Sequence, residues 1–462
     1  MQWDETYDVV VVGSGAGGMA AATTAAIEGL SVLIVEKTER IGGSTATSGG
    51  VVWVPVNSQG PGVGHPDTPE QAITYLAGIV GDATPPSLQE GFVRSAGKML
   101  AYMTQHEVLQ LAARAHAPDY YPDNAGATMG GRAMDPVVFD GRRLGRRFRD
   151  LRDPLAPFMV LGGMMVNTAD ARHLLAVGRS FASWKHGVKL VLRYFSDRLR
   201  GYHRGTRLVL GNSLAGQLLH SVLKRGIPYW LEASVQKIHV ADGSVHGVTV
   251  IHQGRTRNVR ARRGVVVATG GFPRSLEMRA RHYPKPIGDW SMAPEGNRGE
   301  GIALAQEAGG TLGQGSVGCA LWAPVSIHHR PDGTQMRYPH LVWDRAKPGL
   351  MAVNSAGQRF VNESTSYHEF VLAMQRSHAQ VPSIPAWLVC DSAFIEKWGL
   401  GLALPGGRPR QHLIRDGYLF QADTLQELAR CIGVDAKGLQ QSASQFNEAA
   451  RSGVDSAFGK GS

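Results

Sequence analysis

The first residues able to do recognisable chemistry stand near the N-terminus, in Gly13-Ser14-Gly15-Ala16-Gly17-Gly18. Gly13, Gly15 and Gly18 fit G-x-G-x-x-G, a spacing that suits a tight turn, a close backbone approach to a pyrophosphate, and close helix–strand packing. Free N–H groups at the start of the following helix, from Ala16, would face the phosphates. Glu36, followed by Lys37, lies about 20 residues downstream, where a carboxylate can accept from a ribose hydroxyl. This chemistry is the binding of a dinucleotide, and nicotinamide and flavin dinucleotides share it. A second run, Gly42-Gly43-Ser44-Thr45-Ala46-Thr47-Ser48-Gly49-Gly50, sets two glycine pairs around small, mostly hydroxylated residues. Such a run suits backbone lying close against a flat ligand.

The elements that must position these residues are legible from periodicity. Residues 7–12 are apolar and β-branched and read as a strand; an Ala-rich helix is expected over 16–28, stopped by Gly29. Residues 31–35 form a second apolar strand that delivers Glu36. Residues 230–240 and 247–251 alternate as a hairpin around Asp242-Gly243. Residues 264–272 read as a buried strand ending in Ala268-Thr269-Gly270-Gly271, a second glycine-rich pass over the ligand.

Composition bounds the rest. A chain of 462 residues is too long for one core, and two or three domains are expected. Its 58 glycines are nearly twice the usual share of about 7%. Cys319, Cys390 and Cys431 make no metal-ligand or redox spacing, so no metal site and a reducing compartment are expected. The N-terminus carries acids where a signal peptide would carry Lys or Arg, and no apolar run reaches spanning length; a cytoplasmic protein is the expectation. The net charge of +10 invites anionic partners, but the basic residues are not interleaved with base-stacking aromatics, which argues against nucleic acid. Residues 185–207 mix seven Lys and Arg with Val188, Leu192, Phe195 and Leu199. Their pattern is open to a solvated helix, an oligomer contact, or a peripheral membrane contact that could collect an apolar substrate.

The run from Gly42 to Gly50, following the fingerprint and Glu36, resembles the flavoprotein subunits of the fumarate reductase and succinate dehydrogenase superfamily. There the segment runs along FAD toward the flavin ring, so the resemblance implies non-covalent FAD rather than a dissociable nicotinamide. It implies that Glu36 holds the adenosine ribose, that Ser44, Thr45 and Ser48 contact the phosphates and flavin, and that backbone at Val235 meets the adenine. It also implies an α/β fold: a Rossmann-like FAD-binding domain, discontinuous in sequence, with an inserted helical segment and an α+β substrate-capping domain. The expected divisions are 1–117 and 206–272 for the FAD domain, 118–205 for a loop and helical insertion, and 273–462 for the capping domain.

Within that superfamily the residues after Val361-Asn362-Glu363 separate the branches. Fumarate reductases place an Arg four residues after this Glu as proton donor; here the position is Tyr367, and no Arg lies between Arg359 and Arg376. Tyrosine at this place resembles the 3-ketosteroid dehydrogenases, as does Pro118-Asp119-Tyr120-Tyr121-Pro122. The resemblance implies that Tyr367 takes the proton from carbon 2 of a ketosteroid and that a tyrosine of this segment, Tyr120 ahead of Tyr121, assists it, with hydride passing to flavin N5. A phenol, with an ordinary pKa of about 10, needs its neighbours' help to act as a base. The expected partners are a small apolar, steroid-like substrate, lined by such residues as Trp322, Trp343, Phe370 and Met374, and an external electron acceptor. Two other readings stand beside this one: a fumarate reductase-like reductase of an unsaturated acid, and a truncated, non-catalytic flavin-binding protein. Family members carry a further tail with a Gly-rich flavin turn and a Tyr-Pro-Gly turn that polarises the carbonyl. Nothing after Gly271 resembles it, so the sequence reads as a fragment of a longer enzyme, poorly active alone.

Overall fold

The computed structural model describes residues 2–178, 180–313 and 318–461; the side chain of Trp343 lies outside those described. The chain divides into two compact units, Met1–His282 with Ala293–Val317, and Tyr283–Met292 with Gly318–Ser462.

The first unit is built on a six-stranded sheet: β1 (Glu5–Val12), β2 (Val32–Val35), β3 (Tyr229–Trp230), β4 (Ala233–Ala241), β5 (Ser244–His252) and β6 (Arg255–Val267). The spatial order is β3-β2-β1-β6-β5-β4. The first four run parallel, β5 is antiparallel to β6, and β4 is antiparallel to β5. Its helices include α1 (Ala16–Ile27), α2 (Phe181–Leu199), α3 (Leu210–Lys224) and α4 (Glu300–Glu307).

Successive side chains on a strand point to opposite faces, and both faces here are buried. Val9, Val11, Val32 and Ile34 meet Met19 and Ala22 of α1 and Leu214 and Leu218 of α3. Val10, Val12, Leu33 and Val35 face the other way, with Val235, Val248, Val250 and Leu304 of α4. This is why β1 and β2 read as continuous apolar runs rather than alternating ones. The expected hairpin is present, with Asp242 and Gly243 both at positive φ in its turn. The expected strand over 264–272 is longer at its start and ends sooner, at Val267. Its first half, rich in arginine, alternates because only one side of that stretch is covered.

The segment Ala293–Val317, expected with the capping domain, clusters instead with the nucleotide unit. The physical reason is local: α4 supplies Leu304 to the sheet's core, and Lys37 donates to Gly296 O at 2.7 Å and pairs with Glu300 at 2.6 Å.

In the second unit, β7 (Leu350–Val353) pairs antiparallel with β8 (Trp387–Cys390). All four residues of β7 are buried. Ala352 faces Phe370 and Ala373 of α5 (Tyr367–His378), and Met351 and Val353 face Leu439 of α6 (Ala436–Ser452).

Candidate functional site

The turn from β1 into α1 is fixed by backbone packing. Gly13 N donates to Val35 O at 2.8 Å, and Gly13 sits at φ +103°, where a Cβ would fall 2.4 Å from Ala268 O. A Cβ on Gly18 would fall 2.0 Å from Gly13 O. Gly15 and Gly17 differ. A Cβ on Gly15 would meet nothing nearer than Thr45 Oγ1 at 3.8 Å, and one on Gly17 would meet nothing within 4 Å. These two glycines face open space at the start of α1, which has no side-chain cap and no acid in its first turn. Thr45 Oγ1 takes the Ala16 N–H at 3.0 Å, and the helix end keeps its partial positive charge for an anion. The residues present therefore fit a pyrophosphate.

Glu36 is buried and holds this turn together. Its Oε2 accepts from Ser14 N at 3.0 Å and Ser14 Oγ at 2.5 Å; its Oε1 accepts from Thr38 N at 2.9 Å and Thr38 Oγ1 at 2.8 Å. A carboxylate offers about four lone-pair sites, so a ribose hydroxyl would share an oxygen with one of these donors. Gly42 N donates to Ser14 Oγ at 3.1 Å, tying the fingerprint to the second glycine run. That run folds as a short helical turn, Gly43–Thr47, seated against α3: Gly211 N donates to Ser48 O, and a Cβ on Gly50 would fall 2.4 Å from Gly211 N. Gly49 has open space beside it. Ser48 Oγ donates to Thr45 O and accepts from Gly50 N, while Ser44 Oγ accepts from Asn297 Nδ2 at 2.7 Å.

The later positions fall in the same unit. Ala268 N donates to Val12 O at 2.8 Å, and Thr269 lies under Gly301, where any Cβ would collide with it. Gly270, at φ +75°, lies against Asn297, and Gly271 follows exposed. A cavity of about 290 Å³ opens beside this pass, lined by Val267, Ala268, Thr269, Ile302 and Leu312 among others. Val235 is buried on β4, opposite Val250.

Tyr120 is exposed on a loop anchored by its neighbour. Asp119 accepts from Trp53 Nε1 at 2.7 Å, Thr128 N at 3.0 Å and Arg132 Nη1 at 2.8 Å. Arg132 is 1% exposed and binds both oxygens of Asp67 with Nε and Nη2. Burial alone would lower its pKa, but Asp67 and Asp119 raise it above the usual range. Tyr121 N donates to Tyr75 OH, whose phenol is pushed up to about 12, chiefly by burial.

In the second unit, Tyr367 is half-buried and opens α5, behind the cap Ser366, which accepts from Glu369 N. The segment before it is clamped by buried charge. Glu363, fully buried, accepts from Ala352 N at 2.9 Å and from Arg359 through Nε and Nη2, both at 3.0 Å. Arg359 Nη2 also reaches Asp455 at 2.9 Å, and Lys460 Nζ lies 3.4 Å from Glu363. Arg345, likewise fully buried, donates to His340 O, Glu363 O and Thr365 O, and stacks on Phe370. Burial pulls its pKa down to about 10 against the opposing pull of Asp344 and Glu363. His368, whose pKa burial lowers, accepts from Trp322 N at 3.1 Å. Phe370 and Met374, expected as substrate walls, pack into the core with Val361 and Ala373. A string Tyr418–Ser326–His340–Asp344, with hydrogen bonds of 2.7, 2.7 and 2.5 Å, cross-links the hairpin Val325–His329/Gln335–Pro339 to the segment carrying Tyr418.

Sequence reasoning did not anticipate Asp67, Arg132, Asn297, Arg345, Asp455 or Lys460. Arg132 and Asp67 meet across 65 residues and Arg359 and Asp455 across 96, while Arg345 reaches His340 O five residues away and Glu363 O and Thr365 O at 18 and 20; no local spacing announces them. The exception is Asn297, which stands in the glycine-bracketed run Gly296–Gly299 that leads into α4.

The model of the FAD binding domain family matches residues 8–461. The chain is 36% identical to the 4-oxocyclohex-2-ene-1-carboxylate 5-dehydrogenase of Sinomonas cyclohexanicum, over 98% of this chain and 77% of that protein. It is 35% identical to the 3-oxosteroid 1-dehydrogenase of Mycobacterium tuberculosis, over 99% of this chain and 81% of that protein. Among solved structures it is similar to the 3-ketosteroid delta1-dehydrogenase from Sterolibacterium denitrificans in complex with 1,4-androstadiene-3,17-dione. The TM-score is 0.86 and the identity 36%, covering 99% of this chain and 82% of that one. The cofactor is FAD, in keeping with the open space beside Gly15 and Gly17 and the absence of an acid in the first turn of α1. The chain belongs to the FAD binding domain family, as a flavin-dependent dehydrogenase related to the 3-oxosteroid 1-dehydrogenases.

Proposed function

We propose that this FAD-dependent dehydrogenase removes hydrogen across carbons 1 and 2 of a 3-oxosteroid. The observation that carries the reading is Tyr367 at the start of α5, held by the buried Glu363 and Arg345 network, where the fumarate-reducing branch has an Arg. The substrate class follows the names of the relatives. The carbonyl at carbon 3 makes the carbon 2 proton acidic, and Tyr367 accepts that proton; Tyr120 is assigned the assisting hydroxyl. When bound, FAD supplies the hydride acceptor. Gly13, Ser14, Gly15, Ala16, Gly17 and Gly18 hold its pyrophosphate, with Gly42, Gly43, Ser44, Thr45, Ser48, Gly49 and Gly50 along the phosphates and flavin. Glu36 and Lys37 serve the ribose end, Val235 the adenine, and Ala268, Thr269, Gly270 and Gly271 the second pass. An external acceptor would reoxidise the flavin. Free thiols at Cys319, Cys390 and Cys431 suit a cytoplasmic location.

The test is anaerobic bleaching of the flavin by a 3-oxo-4-ene steroid. Tyr367→Phe is expected to retain flavin and slow bleaching by about 10²–10⁴-fold, the usual contribution of a positioned acid or base. Unchanged bleaching in that variant removes Tyr367 from the mechanism. The likeness to the Sinomonas enzyme favours a second reading, a monocyclic ring ketone bearing a carboxylate, with the same bond chemistry. Bleaching by 4-oxocyclohex-2-ene-1-carboxylate but not by the steroid would establish it.

A further inference from the structure

Tyr120 is 40% exposed, yet the loop that carries it is held at its neck and from beneath. At the neck Asp119 N donates to Thr128 O, and Thr128 N donates back to Asp119 Oδ2, both at 3.0 Å. Inside the loop Asn124 N donates to Tyr121 O and Ala127 N to Asn124 O, both at 3.1 Å. Beneath lies the helix Pro69–Val80: Tyr121 N donates to Tyr75 OH at 3.2 Å, and a Cβ on Gly126 would fall 2.3 Å from Gln71 O. A surface loop with its ends together and its own contacts filled is a compact, ordered unit, and such loops commonly carry function.

Asp119 joins this loop to the strand that leaves the second glycine run. Its Oδ2 also accepts from Arg132 Nη1 at 2.8 Å, while its Oδ1 accepts from Trp53 Nε1 at 2.7 Å. Trp53 lies three residues past Gly50 and ends the short strand Val52–Trp53, which pairs with Met134 and Ala133. One hydrogen bond therefore connects the neighbour of Tyr120 to backbone that continues from the run assigned above to the flavin. Arg132 locks the join. It binds Asp67, whose Oδ2 takes Val56 N at 2.9 Å, and its guanidinium lies over the rings of Trp53 and Tyr75. Phe92 stacks on the indole as well, with ring planes 4° apart. The side chains of Arg132 and Asp119 are 1% and 2% exposed. Ions so deeply buried add little net stability over apolar side chains of the same volume, but their hydrogen bonds are met in one arrangement only.

We infer that Asp119, backed by Arg132, is a positioning residue for the dehydrogenation, setting the Tyr120 hydroxyl in register with the flavin run through Trp53. The inference rests on the assisting role proposed for Tyr120, and adds what fixes that hydroxyl in place.

The test is a double-mutant cycle of Asp119→Asn and Tyr120→Phe in the FAD-loaded chain, read as anaerobic flavin reduction by whichever of the two ring ketones above bleaches wild type. The one oxygen of Asn can serve Trp53 or the Arg132 side, and its NH2 then faces a donor at the other. Asp119→Asn should slow reduction at saturating substrate by about ten- to a hundredfold, the cost of misplacing a reacting group by about an ångström, with little change in half-saturation. Tyr120→Phe should cost at least as much. The double variant should be no slower than Tyr120→Phe, because a residue acting through Tyr120 has nothing left to place; a merely structural role would add its own loss. A second readout needs no turnover. Hydrogen exchange of the resting chain should speed up in Asp119→Asn at both 119–128 and 52–56, and stay slow in Tyr120→Phe. If Asp119→Asn melts early, Tyr75→Phe, which removes the acceptor of Tyr121 N, takes its place in the cycle. Additive losses, an unslowed Asp119→Asn beside a slow Tyr120→Phe, or exchange that quickens in the loop alone overturn the inference and leave Tyr120 its role. An unslowed Tyr120→Phe, or a wild type bleached by neither ketone, overturns that role and the inference with it.

Discussion

The nucleotide region and the region around Tyr367 are fixed by opposite means. At the first, main chain meets main chain: Gly13 lies against Ala268 and Gly50 against Gly211, while Gly15, Gly17 and Gly49 leave backbone bare. At the second, side-chain charge taken out of water holds irregular backbone in place. Glu363, Arg359, Asp455 and Lys460 form one buried network, and Arg345 spends its donors on three carbonyls. Backbone contact demands a residue type at a position, whereas an ion network demands only that complementary charges arrive from anywhere in the chain.

The largest effect that would test this contrast comes from the buried network. Glu363→Gln removes the charge facing Arg359 and Lys460. Loss of one partner of a buried pair costs about 3–5 kcal/mol, toward the lower end here because Asp455 still meets Arg359. Urea unfolding should show it as a lower midpoint at unchanged slope. A cost below about 0.5 kcal/mol would mean the network is ornament and the segment before Tyr367 is held by apolar packing alone.

Next comes Gly13→Ala, which puts a Cβ 2.4 Å from Ala268 O at a backbone angle that side chains rarely adopt. Overpacking and strain together should cost about 3 kcal/mol, and the purified protein should lack flavin. Retention of flavin at wild-type stoichiometry would show that the turn can relax, which its rigid backbone neighbours argue against.

The same contrast explains what the sequence made legible. The sheet's central strands, the hairpin, and the cradle from Gly13 to Gly50 were readable because local rules write them: apolar runs, turn residues, glycines where a Cβ cannot fit. The assignment of Ala293–Val317 was not, because it depends on Leu304 reaching β4 and Lys37 reaching Gly296. Nor were Arg132 and Asp67 beneath the loop of Tyr120, which are buried ions 65 residues apart. Phe370 shows the converse: an aromatic near Tyr367 reads as a substrate wall, yet it is the surface on which Arg345 stacks.

A smaller, pH-dependent effect distinguishes Asp455 within the network. Burial alone would raise its pKa, but Arg359 and the N–H groups of Lys460 and Phe458 more than offset that and hold it below the usual carboxylate range. A depressed folded-state value contributes stability that is present above the unfolded value of about 3.9 and is lost as pH falls through the folded one. Asp455→Asn should therefore be less stable than wild type near neutral pH, with the gap closing in acid. A gap that is constant with pH would mean that Asp455 contributes shape rather than charge.

The smallest effect is the most discriminating, because it has opposite signs in the two states of one site. Gly17 lies in the first turn of α1, and a Cβ there would touch no protein atom within 4 Å. In the unliganded chain Gly17→Ala should raise stability by about 0.5–1 kcal/mol, the usual gain when alanine replaces glycine in a helix. The open space is where a pyrophosphate would approach the helix end, so the methyl that stabilises the empty turn should weaken FAD. Thermal melting of the flavin-free protein and titration with FAD measure the two terms separately. Stabilisation without loss of affinity would place the ligand away from Gly17 and leave Gly15 as the point of closest approach. Destabilisation of the flavin-free chain would mean that Gly17, like Gly13, is required by the protein's own packing, and the division between glycines that fit the fold and glycines that fit the ligand would have to be redrawn.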